Sequence, residues 1–98
     1  MAIDVEIQDE NGASIARYDG PPLGHQFTKL APAASACFRF ILPWADATFN
    51  EEQIKVLKDE LHDAARNCPP ERLAELKALS SFLGRATGAH VYVKFIGD

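Results

Sequence analysis

Nothing in these 98 residues approaches the ~18 consecutive apolar residues of a membrane span. The opening Met1-Ala2-Ile3-Asp4 lacks the basic region and apolar run of a secretory signal. Cysteine is scarce: Cys37 and Cys68 lie far apart with no Cys-x-x-Cys pattern, so two reduced, buried thiols in a cytoplasmic protein are expected. The three histidines, His25, His62 and His90, share no metal-ligand spacing, and neither a metal nor another cofactor is expected. Gly84 and Gly88 enclose no phosphate-loop lysine, and no dinucleotide fingerprint occurs. Positive charge is outnumbered, with 10 Lys and Arg against 14 Asp and Glu and a net charge of −4. That balance argues against nucleic acid, whose phosphates need concentrated Lys and Arg. Acidic and basic residues alternate along the second half, as on a solvated helix face.

What is present is an ordinary globular composition, 47% hydrophobic and 24% charged, in a chain of single-domain length, residues 1–98. Ile3, Val5 and Ile7 alternate with Asp4, Glu6 and Gln8, which predicts a strand with one apolar face. Asn11-Gly12 supplies a tight turn, and a return strand follows over Ala13–Tyr18. A two-residue loop would set Glu6 opposite Arg17, and Ile7 opposite Ala16. A three-residue loop with Gly12 in a bulge would set Ile7 against Ile15. The charge pair is worth ~0.2–1 kcal/mol and burial of Ile15 ~1.5–3 kcal/mol, so the second is expected.

Asp19-Gly20-Pro21-Pro22 stops the hairpin. Residues 20–35 read as a long loop with one short helical turn around His25–Leu30. Cys37-Phe38-Arg39-Phe40-Ile41-Leu42, ended by Pro43, reads as a third strand. Asn50 and Gln53 form a capping box, and Ile54, Leu57, Leu61, Ala64 and Cys68 recur at helical spacing. Pro69-Pro70 breaks that helix and opens another. Its stripe is Leu73, Leu76, Leu79 and Leu83 with Phe82, closed by Gly84 or Gly88 as a left-handed cap. In the last strand, Val91, Val93 and Phe95 alternate with His90, Tyr92 and Lys94. The expected fold is α+β: one four-stranded antiparallel sheet in the order β-β-loop-β-α-α-β, with a two-helix hairpin packed on one face.

Two groups of side chains follow from that fold. Antiparallel pairing of Cys37–Leu42 with the last strand would bring Trp44, Asp46, Asn50 and His90 to one end of the sheet. A carboxylate beside a histidine is half of a general-base arrangement, but no nucleophile accompanies it, and polar packing explains the same residues. Two helices cover only one side of a sheet. Arg39, Ile41, Tyr92, Lys94 and Ile96 would then lie on the open side, a mixture enriched at interfaces. The loop with Leu23, Phe27 and Leu30 is an alternative cover for that side.

Residues Phe40–Gln53, Phe-Ile-Leu-Pro-Trp-Ala-Asp-Ala-Thr-Phe-Asn-Glu-Glu-Gln, resemble the Phe-Ile-Asp-Pro-Tyr-Gly-Asp-Thr-x-Phe-Asn-x-x-Gln segment of an uncharacterised family of small bacterial proteins. The ending His-Val-Tyr-Val-Lys-Phe-Ile-Gly-Asp, residues 90–98, is similar to that family's closing segment. Leu42, Ala45 and Ala47 stand where the pattern has aspartate, glycine and threonine. The resemblance implies no activity and no catalytic residue.

The functional expectation is a small non-enzymatic interaction module, adaptor- or immunity-like. It would bind a protein partner or a second copy through the open sheet face. The alternative is a small enzyme or ligand-binding domain with a pocket near Trp44, Asp46, Asn50 and His90.

Overall fold

The computed structural model describes residues 2–97. Met1 and Asp98, the ends of the two terminal segments read above, lie outside the described residues. The elements are β1 (Asp4–Gln8), β2 (Ser14–Arg17), α1 (His25–Thr28), β3 (Ala47–Phe49), α2 (Glu51–Asn67), α3 (Leu73–Leu83) and β4 (Tyr92–Ile96). Short 3-10 turns occupy Phe38–Phe40 and Pro70–Arg72. The four strands form one sheet in the order β2-β1-β4-β3, every neighbour antiparallel. The α+β fold with a four-stranded antiparallel sheet and a packed pair of helices is therefore as the periodicities imply.

Alternation places the core. Val5 and Ile7 of β1, Phe49 of β3, and Val93 and Phe95 of β4 are buried together with Ile54, Leu57 and Leu61 of α2 and Leu76, Leu79, Phe82 and Leu83 of α3. The Phe49 and Phe95 rings meet edge to face at 5.7 Å. Helix α2 opens with the expected reciprocal cap: Gln53 N–H donates to the Asn50 side chain, and Asn50 N–H donates to Gln53 Oε1, both at 2.9 Å. Glu51 and Glu52 complement the positive end of its dipole. Helix α3 ends differently from expectation. Gly84 keeps a right-handed φ of −62°, and Gly88, at φ 98°, serves the turn into β4 instead.

The third strand is also displaced. Cys37–Leu42 is not a strand; its burial falls on Cys37, Phe38 and Ile41, the spacing of a helical turn. Phe40 projects into solvent. The Glu60 carboxylate of α2 accepts the N–H groups of Ala36, Cys37 and Phe38, which occupies donors that a sheet ladder would need. The third strand is instead the short Ala47-Thr48-Phe49, with three residues between it and Pro43.

The first hairpin combines features of both expected registers. Its loop is the three-residue one: Asp9 N–H donates to Ala13 C=O at 3.0 Å, Gly12 takes φ 82°, and Gln8 faces Ser14. The register then shifts, so that Ile7 faces Ala16 and Glu6 faces Arg17. Ile15 is the extra residue and stands 60% exposed. The reason lies in period two: Ile15 and Arg17 share a face, so burying Ile15 would have driven the Arg17 charge inward. The bulge turns Ala16 and Tyr18 to the core instead, and Tyr18 meets Phe82 edge-on at 5.7 Å.

The loop 20–35 contributes to the same core rather than crossing the open side. Leu23 bridges to Ile3, with Ile3 N–H donating to Leu23 C=O at 2.7 Å. Phe27, on α1 where a helical turn was expected, packs on Phe38 at 5.3 Å. Both thiols are free, Cys37 buried and Cys68 half-buried. Burial, and then the neighbouring Glu60 charge, push the Cys37 thiol up. No helix among the described residues is long and apolar enough to cross a membrane.

Candidate functional site

The alternation that buries Val93 and Phe95 turns Tyr92, Lys94 and Ile96 to the opposite side of β4. There they join Asp4, Glu6 and Gln8 of β1. Register arranges them in rows across the sheet. Arg17 faces Glu6, Glu6 faces Lys94, and Lys94 faces Thr48. Gln8 faces Tyr92, and Asp4 faces Ile96. Within the central row Arg17 reaches Glu6 at 3.2 Å, and Lys94 lies 4.0 Å from Asp46, just before β3. Gln8 Nε2 also donates to Glu6 Oε1 at 3.2 Å. Cross-strand pairs of this kind contribute ~0.2–1 kcal/mol each, Glu6 being largely covered and Arg17, Lys94 and Asp46 open to solvent, so they order the surface more than they hold the fold. Tyr92 and Ile96 remain as its apolar and amphipathic contacts.

Two residues expected on this face are elsewhere. Ile41 is 1% exposed in the core, since it closes the 3-10 turn with its N–H on Phe38 C=O at 3.1 Å. Arg39 is exposed on that turn, its guanidinium 4.6 Å above the Phe40 ring.

The structure does not gather Trp44, Asp46, Asn50 and His90. Asp46 precedes Ala47, which faces Phe95 at the far end of β4, and Asp46 Oδ1 accepts the Gly97 N–H at 3.0 Å. His90 precedes the near end of β4, in a left-handed conformation at φ 60°. Its Nδ1 lies 3.8 Å from Glu10 Oε2 in the first hairpin loop. Six residues of extended chain separate the two ends, roughly 20 Å. Asn50 is committed to its cap, and Trp44 stands 65% exposed. The geometry for a His90–Asp46 acid–base pair is thus absent, and a different relationship replaces it. Asp46 and Thr48–Phe49 join the last strand and the glycine after it, so the segment 46–49 and the segment 93–97 are neighbours in space.

Two carboxylates were not legible as special. Glu60 and Glu75 both read as helix-surface charges, yet Glu60 clasps a distant turn and Glu75 is only 7% exposed. Arg72 Nη1 donates to Glu75 Oε1 at 2.7 Å. Nearby, the Tyr18 hydroxyl donates to Pro21 C=O at 2.7 Å. Burial, then the charges of Glu75 and Asp19, push the Tyr18 pKa up to about 12. Gly20 lies under that ring, where any Cβ would meet the hydroxyl at 2.6 Å. This cluster locks the Asp19–Pro22 excursion onto α3. Among the described residues no group of three His, Cys, Asp or Glu side chains is placed to hold a metal ion.

No protein-family model, curated protein or solved structure matches the chain.

Proposed function

We propose that the chain is a small, non-enzymatic cytoplasmic interaction module that binds a folded partner protein through the open sheet face. The observation that supports this reading is the central strand β4, which carries Tyr92 and Ile96 on the side away from both helices, beside the paired row Arg17–Glu6–Lys94. The backbone of β1 and β4 is engaged on both sides, so recognition there works through side chains and suits a folded surface rather than an extended peptide. Area decides between a second copy and a different protein. Four short strands present a patch of roughly 15 by 20 Å. Two such flat patches would bury on the order of 600 Å², below the ~1,200–2,000 Å² of stable complexes. A broader partner that also reaches exposed Ile15, on the edge strand β2, and Trp44, just before the edge strand β3, attains the usual size.

A photo-crosslinking residue at position 92, in the full chain expressed in its own cells, tests the reading. One heterologous adduct is expected, absent when the crosslinker stands at exposed Gln26 on α1 and abolished by Lys94→Glu. An adduct of twice the chain's mass, or equal labelling from position 26, would overturn it.

A further inference from the structure

Helices α2 and α3 leave a groove of about 560 Å³ along their junction. Its floor is apolar, from Ala65, Leu73 and Leu76, and its rims carry His62, Arg66 and Lys77. No carboxylate lines it. A second hollow of about 370 Å³ lies nearer the start of α2, between Lys55 and Lys58 and the segment Ala86–Gly88, with Glu51 as its one acidic residue.

This basic lining is set by helical geometry. Lys55, Lys58, His62 and Arg66 are spaced three and four apart, so they share one shoulder of α2 within an arc of ~80°. Glu52, Asp59 and Asp63 fall on the adjoining solvent face. Glu51 falls inside that arc, so the charges are sorted in space from Lys55 onward, and there a chain of net charge −4 carries a mainly basic shoulder. Glu52 pairs with Lys55 at 3.3 Å and Asp63 with Arg66 at 3.6 Å, both exposed and largely screened. Lys58, His62 and Lys77 have no carboxylate within 4.0 Å among the described residues.

We infer that this furrow docks an acidic amphipathic helix of a partner protein. Helix-in-groove recognition needs an apolar floor for residues at i, i+3, i+4 and i+7 and rims of charge opposite to the ligand's flanks. Both are present. From Leu73 to Ser81 along α3 the groove extends about 12 Å, enough for about two turns of a docked helix. The leucine floor distinguishes the furrow from a phosphate-binding surface, which engages its ligand through cations throughout. The furrow is not the sheet face, and the two proposals stand or fall separately.

The test is an amide-shift titration of the full chain with a peptide of about 16 residues, carrying leucines at helical spacing and glutamates on both flanks. Shifts at Ala65, Leu73, Leu76 and Ser80 are expected, with the Tyr92 amide unmoved. Arg66→Glu with Lys77→Glu, both exposed positions, should weaken binding at least about tenfold, as should high salt. The inference is overturned if a lysine-flanked version binds as well, if the shifts map to the sheet, or if a short DNA duplex gives the same shifts at equal affinity. Crosslinking from position 92 is untouched by any of these results.

Discussion

Glu60, in the middle of α2, accepts the backbone N–H of Phe38 at 3.0 Å across 22 residues of sequence. The same carboxylate holds Cys37 N–H at 3.0 Å and also accepts from Ala36. One side chain therefore acts as a cap for a turn it does not belong to, and keeps Phe38 and Ile41 in the core.

Glu60→Ala should cost about 2–4 kcal/mol, because it strands partly buried donors and removes a charge-assisted acceptor. The midpoint of thermal unfolding should drop by roughly 4–8 °C per kcal/mol. Glu60→Gln, which keeps an acceptor oxygen, should lose less. Equal stability of Glu60→Ala and the parent in urea unfolding would contradict the clasp.

Ile41 and Tyr92 should respond oppositely to truncation. Ile41→Ala empties a core site and should destabilise by about 2–5 kcal/mol. Tyr92→Ser, on the open side, should change stability far less while removing partner binding. Denaturant midpoints for the two variants, measured side by side, check this.

Alkaline pH should unfasten the Asp19–Pro22 excursion. The Tyr18 proton is held more tightly in the folded chain, up to about 12, than in the unfolded chain, near 10. Its contribution to stability is therefore whole below pH ~10 and is lost as pH climbs toward 12. Absorbance titration in a Tyr92→Phe background isolates this hydroxyl. Glu75→Gln should lower its midpoint, since the Glu75 charge is one of the forces holding the proton on.

Gly97 should not tolerate alanine. A Cβ there would meet the Ala45 carbonyl oxygen at 2.5 Å, a backbone atom that cannot swing aside, beside the Asp46–Gly97 hydrogen bond. Gly97→Ala should cost about 1–3 kcal/mol and weaken protection of the Gly97 amide in hydrogen exchange. Asp46→Ala should reproduce the lost protection with a smaller loss of stability.

Strands β1 and β4, both long helices and the Asn50 cap were legible because each rests on local chemistry: alternation, a 3.6-residue stripe, or a side chain three positions from its partner. Cys37–Leu42 was misleading for the opposite reason. Six residues rich in apolar side chains have no decisive period, and what makes them a turn is Glu60, more than twenty residues away. A third strand at 37–42 would also carry Arg39 and Ile41 to the sheet and His90 toward Asp46. Ala47-Thr48-Phe49 is too short to announce itself. The hairpin bulge was within reach, because Ile15 and Arg17 cannot both choose their side of one face. The basic shoulder of α2 was equally readable, in the spacing of residues 55, 58, 62 and 66, but charges that interleave in sequence conceal their separation in space.

The pairing of Asp4 with Ile96 at the centre of the sheet sets an order of events. During synthesis the β1–β2 hairpin emerges before both long helices, and the strand that covers the inner edge of β1 emerges only after them. For that interval Val5 and Ile7 form part of a two-stranded ribbon with an open edge, too small to be stable alone and able to pair with another chain. Contacts of such long sequence separation also slow folding. Helices α2 and α3 can associate early, whereas the sheet must wait for β4, so loss of β4 should produce aggregation rather than a partly folded monomer.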